Sequence, residues 1–340
     1  MAFHDHRIMA DNLTALPQPY YPTTLRALRH LLGIAIAMWR TCRRSDVLFV
    51  RGSVPYVGVL YAIATLLGKR IHYWAVGDPA ALLRSHRRSG RVKDMLSLIY
   101  AIMDSYTVRF GHFVNRGAIF ANGDELARLF PSSRTHTVVS STIRDEEFFE
   151  RTDTCTGNTV RILCLSMIRP EKGIEYLLGA MDMLRTNRDW EVVIVGSWDG
   201  FEDYKARLDR IVTDSPWGKR MRWAGYANGS EVLAHMRNAD VFVLPTLSEG
   251  TPRVLVEARA QSLPIVSTRV GGIATSVSDG VDGLLVAPKN PAAIALAVDR
   301  IIDDAPLRRR LIANGLTRAR TLTLDRFLER ILAVMGNEPT

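Results

Sequence analysis

The stretch of residues 239–273 reads ADVFVLPTLSEGTPRVLVEARAQSLPIVSTRVGGI, and it contains the clearest structural pattern in the chain. Its apolar run Val241–Leu244 predicts a buried strand, which Pro245 ends because proline cannot continue a sheet ladder. A tight loop follows, and a helix is predicted over Pro252–Gln261, with Pro252 near the first turn, where a missing N–H costs nothing. Because this helix begins directly at the loop, its unpaired N–H groups and positive dipole end suit phosphate groups or sugar hydroxyls.

The rest of the chain alternates short β-branched runs with longer segments whose apolar residues recur at helical spacing. Strands are predicted over Asp46–Val50, Arg70–Ala75, Gly117–Ala121, Thr137–Ser140, Val160–Leu165, Glu191–Gly196, Arg222–Ala224, Asp240–Leu244, Pro264–Ser267 and Leu284–Val286. Further helices are predicted over Gly173–Leu184 and Ser230–Asn238. Alternation of helices with continuous apolar strands favours parallel sheets that helices cover on both faces.

The series of strands is interrupted at residues 151–158, where RTDTCTGN is polar, small and without periodicity. We interpret this segment as a linker between an N-terminal domain over residues 1–150 and a C-terminal domain over residues 159–325. Residues 326–340 are interpreted as a final helix that could pack back on the N-terminal domain. The predicted fold class is α/β, with two doubly wound, Rossmann-like domains in tandem. The cleft between two such domains is the expected ligand site.

Composition places the chain among ordinary soluble globular proteins. It has 340 residues, of which 47% are apolar, enough for two cores of normal size. The three cysteines, Cys42, Cys155 and Cys164, match neither a disulfide framework nor a zinc-ligand pattern, so a reducing, cytosolic compartment is expected. No signal-peptide pattern opens the chain. The longest apolar stretches, Leu31–Trp39 and Val54–Leu67, are shorter than the roughly 20 residues that cross a bilayer.

Positive charge is unevenly distributed along the chain. Residues 1–100 hold 14 Lys/Arg and 5 Asp/Glu, which accounts for the whole net charge of +9. This asymmetry indicates an anionic partner such as a membrane surface, a phosphorylated lipid or nucleic acid. The segments Leu25–Arg44 and Leu83–Arg116 combine apolar runs with basic flanks, which is typical of helices at an anionic membrane surface. A core helix with solvated ends explains the apolar part equally well.

The segment of residues 239–273 contains two glutamates that could bind a ligand. Glu249 lies in the loop and Glu257 on the helix, so both carboxylates could face one cleft. The local alternatives are a capping carboxylate for Glu249 and a solvated surface charge for Glu257. The second alternative fits poorly because the residues next to Glu257 are apolar.

A second segment, residues 165–184, reads LSMIRPEKGIEYLLGAMDML. A strand ends at its start, a short polar loop holds Arg169 and Lys172, and Gly173 permits an unusual backbone before an apolar helix. Two cations at the carboxyl end of a strand can clamp a diphosphate, whereas a lone lysine would more simply belong to a solvated loop.

A third segment, residues 269–286, reads RVGGIATSVSDGVDGLLV. Gly271 and Gly272 follow a strand there, so their backbone N–H groups could approach a ligand closely, although a simple turn is the alternative. We interpret Asp279–Gly280 and Asp282–Gly283 as turns before the last strand.

Together, the three segments resemble the C-terminal domain of retaining GT-B glycosyltransferases, specifically the large group-4 family. The most specific mark is an E-x7-E motif, here Glu249 to Glu257 within SEGTPRVLVE, and the RPEKG and VGGI segments match in order and spacing. The resemblance covers residues 158–325 closely and the N-terminal half loosely. It implies the GT-B fold, in which two Rossmann-like domains face each other across a cleft.

The resemblance also implies residue roles. Lys172 would hold the diphosphate of a nucleotide-sugar donor and stabilise the departing nucleotide diphosphate. Glu249 would bind hydroxyls of the donor hexose, and Glu257 would hydrogen-bond the ribose. Backbone groups of the segment Gly250, Thr251 and Pro252 would contact sugar and phosphates, although Pro252 itself cannot donate.

Further expectations follow from the same resemblance. The backbone around Gly225–Tyr226 and Pro245–Thr246 would recognise the base, and Gly271 and Gly272 would approach the donor. Transfer would retain the anomeric configuration by front-face attack, with the leaving phosphate helping to deprotonate the acceptor. No metal or other cofactor is expected.

The sequence departs from the family pattern at the phosphate site and in the N-terminal half. Ser166–Met167 stands where the family has a glycine followed by an arginine, which makes Arg169 the candidate substitute. Gly77–Asp78 stands where a His–Asp pair is common, so Asp78 is a candidate site residue, whereas His72 is interpreted as a strand or core histidine.

Two further departures concern the acceptor side. Ser141–Arg144 replaces a common Asn-Gly-Val-Asp, and no apolar strand with a Gly-Gly loop precedes Asp46–Val50. The N-terminal domain is therefore expected to be reduced, with an incomplete acceptor wall.

The function predicted from sequence is transfer of a sugar from a nucleotide-diphosphate sugar to a saccharide or lipid-linked acceptor in surface-polysaccharide or glycolipid biosynthesis. The expected location is cytoplasmic and peripheral at the inner face of the plasma membrane. A catalytically inactive sugar-nucleotide-binding homologue is the main alternative. No RNA-binding motif or zinc finger supports a nucleic-acid-binding protein, so no nucleic-acid partner is expected. A sugar-nucleotide epimerase or a phosphorylase stays open, although no catalytic set for either is visible.

Overall fold

The computed structural model of the chain describes residues 28–52, 54, 56–78 and 91–336. These residues form two parallel β-sheets, one of four strands and one of six, with helices packed against them. The segments before residue 28 and over residues 79–90, including Arg84, His86, Arg87 and Arg88, lie outside the described residues, as do residues 337–340.

The N-terminal sheet has the strand order β1-β2-β3-β4, and each strand pairs in parallel with the next along the chain. Its elements are α1 (Leu31–Arg44), β1 (Leu48–Arg51), α2 (Val57–Leu66), β2 (Ile71–Ala75), α3 (Arg91–Asn115), β3 (Ile119–Asn122), α4 (Asp124–Leu129) and β4 (Thr135–Val138), with a short 3-10 turn, Leu28–His30, before α1. The described strands thus wind in one direction only. His72 is buried in β2, which confirms its interpretation as a strand histidine.

The C-terminal sheet has the strand order β10-β9-β8-β5-β6-β7. Its elements are β5 (Thr159–Leu165), α5 (Ile174–Met181), β6 (Asp189–Val195), α6 (Glu202–Asp214), β7 (Met221–Gly225), α7 (Gly229–Arg237), β8 (Val241–Leu244), α8 (Val254–Ala260), β9 (Ile265–Thr268), α9 (Ile273–Ser276), β10 (Leu284–Val286), α10 (Pro291–Asp303) and α11 (Ala305–Arg320). Because β5 lies between β6 and β8, the winding direction reverses there, and ligands of open parallel sheets bind outside such a reversal.

Burial explains why the C-terminal strands read as continuous apolar runs. Every residue of β8 and β9 is buried, and two apolar clusters cover the two faces of the sheet. A strand covered on both faces cannot alternate apolar and polar residues, so the period-2 pattern of a half-exposed strand is absent from these segments.

The last helix, α12 (Leu324–Gly336), returns to the N-terminal sheet. Phe327 and Ile331 pack with Phe120 of β3, and the ring of Phe327 lies 5.1 Å from that of Trp74 in β2. The chain therefore crosses between the two sheets twice, once through residues 139–158 and once at α12.

The crossing segment at residues 151–158 is held firmly against the C-terminal sheet. Asp153 forms ion pairs with Arg308 at 2.6 Å and with Arg309 at 2.8 Å, and the N–H of Cys155 donates to Asp240 at 2.7 Å. The guanidinium of Arg151 donates to backbone carbonyls at the end of α7. The polar composition of this segment thus reflects specific hydrogen bonds to the C-terminal domain.

Each strand predicted from the sequence has a counterpart whose ends differ by no more than two residues. The observed ends of the helices differ more from the predicted ends than those of the strands do. Helix α5 stops at Met181 rather than at Leu184, and α8 begins at Val254, so Pro252 precedes the helix instead of standing in it. The carbonyl of Pro252 nevertheless accepts a hydrogen bond from the N–H of Leu255 at 3.2 Å, so a tight turn leads into the helix. Among the described helices, none is long and apolar enough to cross a membrane.

Candidate active site

A cavity of about 600 Å³ lies between the two sheets, at the carboxyl ends of β5 and β8. Its N-terminal wall includes Gly52, Gly77, Asp78, Asn122 and Glu125. Its C-terminal wall includes Arg169, Lys172, Glu249, Gly250, Thr251, Gly271 and Gly272. The position matches the expectation for a doubly wound sheet, because loops leaving β5 and β8 in opposite directions open a crevice between them.

The loop after β5 brings Lys172 to this crevice. Pro170–Lys172 forms a single 3-10 turn, and Gly173 follows with a φ of 63°. A Cβ at Gly173 would lie 2.4 Å from the carbonyl oxygen of Pro245, which is far inside contact distance. Glycine is therefore required both for its left-handed backbone and for the close approach of the loops after β5 and β8.

Lys172 and Glu249, which both line the cavity, form an ion pair. Both side chains are largely buried, so water screens this pair less than it would a surface pair. The two loops are fastened together beside it, because the carbonyl of Glu171 accepts hydrogen bonds from the N–H of Leu247 at 2.8 Å and from the hydroxyl of Thr246 at 3.0 Å. The structure thus places a cation and a carboxylate side by side on rigid supports.

Arg169 lies beside this pair and also lines the cavity. Its guanidinium is 3.1 Å from the carboxylate of Glu171 and lies 5.9 Å from the ring centre of Phe201. The side chain therefore contacts a neighbour in its own loop and the residue that precedes α6, while its charge stays at the cavity wall. A second positive charge close to Lys172 is what an anionic diphosphate would require.

Gly271 and Gly272 pack against the loop that carries Glu249. A Cβ at Gly271 would lie 1.9 Å from the carbonyl oxygen of Glu249, and a Cβ at Gly272 would lie 2.4 Å from that of Gly250. The N–H of Gly272 donates to the Glu249 carbonyl at 3.2 Å. The two alternatives from the sequence were the approach of a ligand and a simple turn; the structure shows that these glycines admit the neighbouring loop.

Two acidic residues of the N-terminal domain complete the opposite wall. Asp78 follows β2, and Glu125 lies in the first turn of α4, where an acidic residue is favoured by the helix dipole. Oε2 of Glu125 lies only 3.2 Å from where a Cβ at Gly271 would stand, so this side chain spans the cleft. Glu125 was not singled out from the sequence, because a first-turn glutamate is ordinary in a helix of this kind.

Glu257 occupies a different environment from Glu249. It is buried, its Oε1 accepts a hydrogen bond from the hydroxyl of Thr142 at 2.6 Å, and the guanidinium of Arg253 lies 3.8 Å away. The alternative of a solvated surface charge is therefore wrong. Thr142 belongs to the crossing segment after β4, so Glu257 joins the C-terminal domain to that segment.

Six of the residues proposed from the sequence do not line the described cavity. They are Pro252, Glu257, Gly225, Tyr226, Pro245 and Thr246. Gly225 ends β7 with a φ of 74°, and its carbonyl accepts a hydrogen bond from the N–H of Gly196 at 2.8 Å. Tyr226, the next residue, is mostly exposed. The remaining eight proposed residues are brought together in the cavity.

Cys164, at the strand that leads to the cavity, is not a candidate nucleophile. Cys164 of β5 is fully buried, and burial raises the pKa of its thiol to about 12. A thiol that stays protonated is a poor nucleophile. Cys42, Cys155 and Cys164 are all free and buried, and in the part of the chain that the structure describes no group of three or more metal-ligating side chains occurs.

Known proteins resemble the chain both in sequence and in fold. An uncharacterised glycosyltransferase of Methanocaldococcus jannaschii is 33% identical over 154 residues, 45% of this chain and 38% of the relative. A D-inositol 3-phosphate glycosyltransferase of Paenarthrobacter aurescens is 28% identical over 243 residues, 68% of this chain and 56% of the relative. The chain thus spans between about a third and three fifths of the length of these curated relatives.

Solved structures show the same architecture across nearly the whole chain. HepE of Anabaena, in complex with UDP, superposes with a TM-score of 0.72 at 16% identity and covers 91% of this chain and 84% of its own. WaaG, a glycosyltransferase involved in lipopolysaccharide biosynthesis, superposes with a TM-score of 0.66 at 14% identity, over 95% and 86%. At these identities the likeness shows the fold, which is GT-B. The family model of the glycosyl transferases group 1 matches residues 146–318, half of the chain. The chain belongs to the glycosyl transferases group 1 family.

Proposed function

We propose that the chain is a retaining glycosyltransferase that moves a hexose from a nucleotide-diphosphate sugar to a saccharide acceptor. The observation that carries the proposal is the placement of Lys172 and Glu249 side by side at the winding reversal of the C-terminal sheet, inside the interdomain cavity. A cation next to a carboxylate suits a donor that presents a diphosphate beside a set of sugar hydroxyls.

In this proposal, Lys172 and Arg169 bind the diphosphate and stabilise the negative charge that grows on it as the glycosidic bond breaks. Fixed positive groups facing a leaving phosphate lower the barrier because the charge they meet develops in the transition state. Glu249 accepts hydrogen bonds from hydroxyls of the transferred hexose. The acceptor attacks from the face that the nucleotide leaves, and a phosphate oxygen takes its proton, so the anomeric configuration is retained.

The proposed reaction assigns stabilisation of the leaving group to protein cations and needs no metal ion. Transfer is therefore expected to proceed at the same rate with and without a chelator. A loss of transfer in the chelator that Mg²⁺ restores would contradict this part of the proposal.

The donor and acceptor classes draw support from the similar proteins. HepE was solved with UDP and with UDP-glucose, which favours a nucleoside diphosphate sugar as the donor. WaaG acts in lipopolysaccharide biosynthesis, which favours a lipid-linked saccharide acceptor and a role in surface-polysaccharide or glycolipid assembly. We propose a cytoplasmic protein that works peripherally at the inner face of the plasma membrane, in line with the positive balance of its first 100 residues.

A catalytically inactive, donor-binding homologue is the second candidate. Two positions favour it: Gly77 contributes no side chain to the cavity wall, and Met167 is partly exposed where the family pattern has a cation. Such a protein would bind nucleotide sugars and transfer nothing, so donor binding and turnover have to be measured separately.

The donor site is tested by a thermal-shift panel of UDP, GDP, ADP and their sugar conjugates. A ligand at 100 times its Kd stabilises the folded state by about 2.7 kcal/mol. We expect one nucleotide to stabilise the wild type and Lys219→Ala, which removes an exposed lysine that does not line the cavity, but not Lys172→Ala. Equal stabilisation of all three proteins would exclude Lys172 from the site.

Turnover is tested with water as the acceptor, because this reaction needs no knowledge of the natural one. Proton NMR of donor hydrolysis reports which anomer of the free sugar forms first. We expect the anomer of the donor; release of the opposite anomer would contradict retention. Donor binding without hydrolysis, and without transfer to any saccharide in a panel, would favour the inactive homologue.

A further inference from the structure

The outer surface of α3 carries an uninterrupted apolar stripe. Along this helix, Met95, Ile99, Met103, Tyr106, Phe110 and Phe113 are exposed, and their spacing of three or four residues places them on one face. Tyr100 and Val114 lie beside the stripe and are exposed as well. From Met95 to Val114 the face is about 29 Å long at 1.5 Å per residue. Large aromatic and sulfur-containing side chains rarely stay together in water without a partner.

A second, shorter stripe lies on α1. Leu32, Ile36 and Trp39 are exposed at the same helical spacing. Helix α2 contacts both α1 and α3, and residues of all three helices share one apolar cluster with β1 and β2, so they cover the same face of the N-terminal sheet. The two stripes therefore belong to one side of the N-terminal domain.

Positive charge borders these stripes. Arg109 lies at the edge of the α3 face, with its guanidinium 5.4 Å from the ring centre of Tyr106 and 5.9 Å from that of Phe130. Arg116 directly follows the last residue of α3 and is exposed. The last turn of α1 adds Arg43 and Arg44, and α1 contains no acidic residue. The acid described on α3, Asp104, is half-buried outside the apolar face. An apolar face bordered by arginines is complementary to a surface whose outer layer is anionic and whose interior is apolar.

We propose that this face of α3, assisted by α1, inserts into the headgroup region of an anionic lipid bilayer. A second copy of the chain fits less well. In a two-fold pairing the face meets itself, and its border carries Arg109 and Arg116 whereas no described acid on the face could pair with them. Anionic phospholipid supplies both the negative charge and the apolar layer that the face lacks.

The orientation of α3 relates this surface to the cavity. The helix follows β2, and parallel strands and their crossover helices run in opposite directions, so the start of α3 lies at the carboxyl end of the sheet, where Asp78 lines the cavity. A bilayer against α3 would therefore reach towards the cavity end of the domain. This inference rests on the proposed function in one respect: membrane binding would bring a lipid-linked acceptor close to the cavity.

Site-specific labelling tests insertion directly. The three native cysteines are buried, so a thiol-reactive, polarity-sensitive dye would label Phe110→Cys selectively. Leu296→Cys is the matched control, because Leu296 on α10 is 70% exposed and Phe110 is 71% exposed. With vesicles of phosphatidylcholine and phosphatidylglycerol, the dye at position 110 is expected to shift to the blue and the dye at position 296 to stay unchanged.

Three results of this experiment would overturn the proposal. They are an unchanged emission at position 110, an equal shift at both positions, and a shift at position 110 that appears without vesicles as the protein concentration rises. The last would identify a second copy of the chain as the partner.

Partitioning into the same vesicles, followed by flotation, supplies an independent measure. Phe110→Glu is expected to weaken binding about tenfold or more, and Leu296→Glu to leave it unchanged. Arg43→Gln and Arg44→Gln should each weaken it about fivefold at low salt, and vesicles of phosphatidylcholine alone should bind weakly. Each variant is first shown to keep the wild-type Tm. Equal partitioning of Phe110→Glu and the wild type would contradict the proposal.

Failure of the proposed function would look different. Vesicle binding needs no sugar nucleotide. Binding to vesicles through α3 without binding to any nucleotide would therefore support the membrane surface and contradict the proposed donor site. Nucleotide binding that depends on Lys172, without a blue shift at position 110, would contradict the membrane surface and leave the proposed donor site intact.

Discussion

The hydroxyl of Thr251 donates a hydrogen bond to the backbone carbonyl of Asn122 at 3.0 Å, which joins the two domains across the cleft. Thr251 belongs to the loop that also carries Glu249, and Asn122 ends β3 of the N-terminal sheet. The next residue, Gly123, has a φ of 94°, and a Cβ there would lie 2.0 Å from Oγ1 of Thr251. The domains can approach this closely only because position 123 has no side chain.

Gly123→Ala should therefore hold the domains apart. We expect faster amide exchange at residues 122–125, an almost unchanged nucleotide Kd, and hydrolysis of the donor slowed about tenfold or more, since small misplacements across a site are costly. Gly229→Ala is the control, because a Cβ at Gly229 meets nothing within 4 Å. Wild-type exchange and turnover in Gly123→Ala would show that this approach is not needed.

Glu249→Gln separates the two roles proposed for the Lys172–Glu249 pair. Without a carboxylate partner, Lys172 is free to meet a diphosphate, so UDP, or whichever nucleotide the panel identifies, should bind as tightly as to the wild type or more tightly. The sugar conjugate should lose the extra affinity that Glu249 gives to its hydroxyls, about tenfold for a hydrogen bond to a charged group. Isothermal titration of both ligands measures the difference. A parallel loss of both affinities would contradict the assignment.

The architecture could be predicted closely from the sequence because its signals are local. Strands buried on both faces appear as apolar runs, and the loops after β5 and β8 carry glycine and proline where the backbone turns sharply. A rule for parallel sheets places ligands at the carboxyl ends of the strands. The resemblance to GT-B glycosyltransferases assigns Lys172 and Glu249, which are 77 residues apart, to one donor site.

Some contacts between residues distant in the sequence could not be predicted, because no local sequence pattern indicates them. Thr142 and Glu257 are 115 residues apart and meet only because the crossing segment lies against α8. Asp282 was interpreted from the sequence as a turn residue, but in the structure it pairs with the buried Arg259. The sequence around a turn aspartate is the same whether or not an arginine packs against it, so the pair could not be predicted. Such partners depend on how helices pack across the sheet, which no spacing along the chain encodes.

The Asp282 network suggests a stability test. Arg259 is almost completely buried and lies 3.4 Å from Asp282, which also pairs with Arg318 at 2.8 Å and accepts from the N–H of Ser278. Asp282→Asn removes the charge that compensates a buried guanidinium, and breaking a buried pair on one side costs about 3–5 kcal/mol. Chemical unfolding should show this loss.

The control for Asp282→Asn is Glu329→Gln, which breaks the exposed pair with Arg326 on α12. Exposed pairs contribute about 0–1 kcal/mol, so the unfolding free energy should stay within that range of the wild type. A comparable loss in the two variants would mean that burial of Arg259 does not determine the cost.

His112 makes stability depend on pH in a predictable direction. It is buried in α3, and burial, together with the neighbouring Arg134 and His72, lowers its pKa from 6.5 to about 4. Because the unfolded chain binds this proton at a higher pH than the folded chain, the stabilisation is complete above about pH 6.5 and is lost as the pH falls towards 4. The loss amounts to at most about 3 kcal/mol.

His112→Leu removes this proton-binding group while keeping a buried apolar side chain of similar size. The unfolding free energy of the variant, measured by denaturant titration at several pH values, should fall less steeply than that of the wild type between pH 6.5 and 4. His30→Leu, at an exposed position, should keep the wild-type slope. If the slopes of wild type and His112→Leu coincide, another group carries the acid sensitivity, and the buried imidazole must already be protonated or reachable by water in the folded state.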